Sequence, residues 1–79
     1  MRLDKYLKVS RLIKRRTIAN EACDSARVTV NGREAKASYQ VKLGDVIEIA
    51  FGNRSLRVEV IDLSENVKKN EAAAMYREL

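Results

Sequence analysis

Arg2, Lys5, Lys8 and Arg11 recur at every third position and Lys14, Arg15 and Arg16 follow directly, so the first sixteen residues hold seven cations against one acid, Asp4. Such side chains bind anions. Arg does so through a planar fork of N–H donors that matches two phosphate oxygens, and Lys as a compact point charge. This segment carries +6 and the whole chain +5, which leaves −1 for the other 63 residues. The excess is confined to one end, a distribution suited to a polyanionic partner. A solvated helix face usually mixes signs, and this one does not. Arg11, Lys14, Arg15 and Arg16 are therefore expected on backbone phosphates, with Arg2, Lys5 and Lys8 extending the track. Asp4 cannot approach phosphate favourably, so it is expected to orient a neighbouring Arg or to support a helix start.

Nothing comparable supports catalysis. The chain has no His, a single cysteine, no phosphate-binding Gly-rich loop and no carboxylate cluster able to hold a metal. At 79 residues it buries only about 60–65% of the surface exposed on unfolding. With no Trp, one Phe (Phe51) and nine Ala, the core must rest on Val, Ile and Leu and leaves little room for an enclosed active site. The expectation is a binding protein without cofactor or metal. Cys23 cannot form an intrachain disulfide and reads as a small buried hydrophobe. No uninterrupted apolar run suits a signal peptide or a membrane span of roughly 20 residues, which points to a cytoplasmic protein.

The elements that must position the cations follow from apolar spacing. Leu3, Tyr6, Leu7, Ser10 and Ile13 share one helical face, and Ile18, Ala19, Ala22, Cys23 and Ala26 make a second stripe. In one straight helix the two stripes would point roughly 160° apart, so one core could not bury both. Two helices are expected, about Arg2–Ile13 and Thr17–Ala26, with Thr17 capping the second and Lys14, Arg15 and Arg16 on the corner. From Val28 the period becomes two. Asn31-Gly32 signals a type I′ hairpin turn and a return strand, and VIEIAF and the stretch from Leu56 to Ile61 flank a second turn at Gly52-Asn53. The segment SENVKKN reads as a polar linker. In NEAAAMYREL, Asn70 is a candidate cap, and Ala72, Met75, Tyr76 and Leu79 form the stripe of a short docking helix. The expected class is α+β, two helices on a small antiparallel sheet, divided as 1–63 with 64–79 as linker and C-terminal helix.

The order RLDKYL, KRRTIA, RVTVNG and VKLGDVIEI resembles the S4-type RNA-binding domain over residues 2 to about 51. With KKNEAAAMY after the sheet, nearly the whole chain is similar to the bacterial RqcP family of ribosome-associated quality control, and more distantly to the heat-shock S4 proteins. The resemblance implies an RNA-binding, ribosome-associated protein that contacts large-subunit rRNA and peptidyl-tRNA on an obstructed 50S subunit. It implies that the P-site tRNA is held in place while C-terminal tails are added, with a tailing factor as a further partner on the same subunit. The heat-shock alternative implies binding and recycling of free 50S subunits carrying nascent chains. One departure stands out: where the family usually has Gly before the first strand, this chain has Ala26. Either Ala26 tolerates a left-handed backbone at roughly 1 kcal/mol, or the second helix ends differently.

Two readings remain open for the residues themselves. Tyr6 could stack on a base or lie in the core beside Leu3 and Leu7. A basic amphipathic segment also suits a membrane surface or duplex DNA. Against the membrane, Leu3, Leu7 and Ile13 are needed for the core of so small a domain.

Overall fold

The computed structural model describes residues 1–79. Helix α1 spans Leu3–Val9 and α2 Arg16–Asp24. Strands β1 (Val28–Val30), β2 (Arg33–Glu34), β3 (Val46–Phe51), β4 (Arg54–Val60) and β5 (Tyr76–Glu78) form one antiparallel sheet in the order β2-β1-β3-β4-β5. A 3₁₀ helix, Lys69–Met75, precedes β5. No helix is long and apolar enough to cross a membrane.

Most of both apolar stripes turns toward one core, as two helices allow and one would not, although Ile18 and Ala26 of the second stripe stay exposed. Leu3, Tyr6, Leu7 and Ile13 meet Ala19, Ala22 and Cys23 over Val28, Val30, Ile47, Ile49, Val58 and Val60. Tyr6 is fully buried and belongs to this core, which removes it as a base-stacking residue.

Helix α1 is shorter than its apolar period suggests. Ser10 is its C-cap and returns its hydroxyl to the Leu7 carbonyl at 3.3 Å, and Arg11 follows with φ +63°. Ile13 still reaches the core because its N–H donates to the same carbonyl at 3.0 Å, across an irregular turn. Thr17 does not cap α2: Arg15 occupies the cap position in extended conformation, with no side-chain capping bond, and Thr17 lies inside the helix.

The end of α2 decides the question posed by Ala26. The Arg27 N–H donates to the Ala22 carbonyl and the Ala26 N–H to that of Cys23, at 3.0 and 3.1 Å, with Ala26 at φ +59°. This is the Schellman arrangement, built on a residue with a Cβ.

Asn31 and Gly32 both have positive φ, as a type I′ turn requires, and the return strand is only two residues long. Buried Asp45 ties this turn to the loop before β3. It accepts from Asn31 Nδ2 at 3.1 Å, Tyr39 OH at 2.8 Å and the Lys42 N–H at 2.9 Å.

The expected short C-terminal helix forms, as a 3₁₀ helix, but Asn70 lies within it instead of capping it, and Tyr76 belongs to β5 with Leu79 exposed beyond. Ala72 and Met75 are buried as their stripe implied. The Met75 carbonyl accepts three hydrogen bonds, from Tyr6 OH at 2.7 Å, Ile61 N–H at 3.0 Å and Asp62 N–H at 3.1 Å.

Candidate nucleic-acid interface

The site is assembled from α1, the corner, the first turn of α2 and the tail. Asp4 organises part of it. Asp4 is 3% exposed, and its carboxylate accepts from Arg2 Nε at 3.2 Å, from Arg16 Nη2 and Asn20 Nδ2 at 3.4 Å each, and from the Lys5 N–H at 2.8 Å. Burial alone would raise its pKa. The hydrogen bonds from Arg2, Arg16, Asn20 and Lys5 outweigh that and hold it below the ordinary 3.8. Asp4 thus joins the guanidinium groups of Arg2, just before α1, and Arg16, the first residue of α2, while each stays about half exposed. A guanidinium held in this way keeps donors free for phosphate and has less side-chain freedom to lose on binding.

Two recesses lie beside this pair. One brings together Lys5, Lys8 and Arg16, and the next Lys8, Arg11, Lys14 and Lys69. Arg11 reaches its place through the left-handed turn after α1, a conformation that costs a residue with a Cβ about 1 kcal/mol. Arg15 is separated from these recesses and lines a different cleft, with Lys14 and Arg27. Six of the seven expected cations therefore cluster about the two recesses and the Asp4 bridge, with Lys14 common to both sides of the corner.

Sequence reasoning missed the tail's share. Lys69 joins Lys8 from 61 positions away, and Glu65 forms an ion pair with Lys5 and also borders both recesses. The Lys5 bond is the main cause of the lowered Glu65 pKa. The pair Lys68-Lys69 was the available signal, masked because residues 17–79 nearly balance in charge.

The S4 domain family model matches residues 1–47. Over 76 residues, 96% of the chain, it is 55% identical to the RQC P-site tRNA stabilizing factors of Streptococcus pneumoniae and Bacillus subtilis, covering 86% and 88% of those proteins. Heat Shock Protein 15 of Vibrio cholerae superposes with a TM-score of 0.92 at 31% identity, over all of this chain and 81% of that one. A two-helix corner that presents organised cations beside a five-stranded sheet, together with these matches, places the chain in the S4 domain family, and within it among the RQC P-site tRNA stabilizing factors.

Proposed function

We propose that this protein is a non-catalytic RNA-binding factor of ribosome-associated quality control. It binds large-subunit rRNA and peptidyl-tRNA on obstructed 50S subunits and holds the P-site tRNA while a tailing factor extends the stalled chain. The observation that carries the RNA-binding part is the Asp4-bridged pair of Arg2 and Arg16 beside the recess of Lys8, Arg11, Lys14 and Lys69. Pre-oriented guanidinium groups together with mobile ammonium groups suit a folded phosphate backbone, which presents many acceptors at fixed spacing. The P-site role draws its support from the 55% identity to proteins of that name over nearly the whole chain. The identity to Heat Shock Protein 15 is lower, at 31%, so the quality-control reading is preferred to the recycling of free subunits.

Salt dependence tests the phosphate contacts. Each one lost removes about 0.7–0.9 from the slope of log K against log salt. Replacing Lys8 and Arg16 with Ala should weaken binding to structured rRNA and flatten that slope by roughly 1.4–1.8. An unchanged slope would remove these residues from the interface.

A further inference from the structure

Ile18 belongs to the second apolar stripe, yet it is 48% exposed, and Phe51, the only phenylalanine, is 44% exposed at the end of β3. The two line a single open cleft of about 460 Å³ between the corner and the sheet. Buried Ile13, Ala22 and Ile49 contribute its apolar surface, Lys14, Arg15 and Arg27 are its only charged lining residues, and no acid is among them. The phosphate-track reading leaves the apolar part unexplained.

An occupant that satisfies both parts is an apolar plane joined to anions, which describes a nucleotide. Lys14 lines both this cleft and the recess with Lys8, Arg11 and Lys69, so an RNA strand on that recess is led to the cleft. A protein partner fits less well, since a standard interface covers about 800 Å² on each side and only two large apolar side chains are exposed here. Phe51 is also well held for stacking. Its backbone pairs with Arg54 across the Gly52-Asn53 turn, which fixes the ring's base without making the ring part of the core.

We propose that the Phe51 cleft is a base-binding subsite for single-stranded RNA, in which an unstacked base lies on the Phe51 ring beside Ile18 with its flanking phosphates on Lys14, Arg15 and Arg27. The proposal rests on the RNA-binding reading above and adds a preference for unpaired nucleotides. Stacking on an aromatic side chain tolerates any base, so the preference is for unpaired structure rather than for sequence.

The full chain is titrated with a labelled RNA hairpin bearing a single-stranded loop and with a blunt RNA duplex carrying the same number of phosphates. The wild type should bind the hairpin more tightly. Phe51→Ala should lose roughly 5- to 150-fold on the hairpin and little on the duplex. Phe51→Tyr should retain the preference, whereas Phe51→Leu, which keeps apolar bulk without a π face, should lose it. Both of these variants preserve packing volume and serve if the Ala variant folds poorly. Equal affinity of the wild type for both RNAs, equal loss on both, or full hairpin affinity in Phe51→Leu would overturn the subsite while leaving RNA binding intact. Failure of the wild type to bind either RNA would overturn both.

Discussion

A lone carboxylate among seven cations looks misplaced until its contacts are followed. Asp4 is buried where Arg2, Arg16 and Asn20 converge, so it organises positive charge instead of cancelling a phosphate site. Because its folded pKa lies below 3.8, its contribution to stability is fully present above that value and is lost as pH falls through the folded value. Asp4→Asn should therefore cost roughly 1–2 kcal/mol at pH 7, shrinking on acidification below pH 3.8, and should weaken RNA binding by freeing both guanidinium groups. Urea denaturation at several pH values checks the first part, and a pH-independent difference would contradict it. Arg11 provides a second residue-scale test, since charge and backbone strain coincide there. Arg11→Gly should raise stability by about 0.5–1 kcal/mol while lowering RNA affinity, as strain retained at a binding position implies. The cations were legible in the sequence through their number and spacing. The Asp4 bridge was legible only as far as Arg2, two residues away, because contact with Arg16 and Asn20 requires the chain to reverse first.

At the scale of elements, the two helices could be separated because one core cannot bury opposed stripes, but their ends were less legible. Apolar periodicity continued through Ser10 to Ile13 although the helix had already stopped, since an irregular turn can also bring Ile13 back to the core. At the end of α2, Ala26→Gly should stabilise the protein by about 0.5–1 kcal/mol, because Ala26 occupies the left-handed position of a Schellman cap. Chemical denaturation decides it, and destabilisation of that size would place Ala26 in ordinary helix. In the tail the short helix was legible because three consecutive alanines favour one by propensity, whereas β5 was missed because a three-residue strand carries too little alternation to detect. Met75 lies in the main core and its carbonyl gathers three donors, so Met75→Ala should cost about 2–4 kcal/mol. Truncation after Leu63 should destabilise the remainder at least as much, since it also removes β5 and the acceptor for Tyr6. A midpoint unchanged by truncation would make residues 64–79 a separable appendage.

For the whole molecule, charge is sorted by position. The helical corner and the returning tail supply the cations of the two recesses, and the helices that carry them share one core with the sheet. The proposed binding to RNA phosphate would not discriminate by itself, because every ribosomal particle displays phosphate, so the proposed selectivity for one particle must come from matching a particular RNA shape. The most direct measurement is sucrose-gradient fractionation after translational stalling, following the wild type and Arg16→Glu in parallel. The account predicts that the wild type sediments with large subunits carrying peptidyl-tRNA in preference to intact translating ribosomes, and that Arg16→Glu shifts to the top of the gradient because an attraction has become a repulsion. Wild-type protein spread equally over all ribosomal fractions, or absent from large subunits, would contradict it.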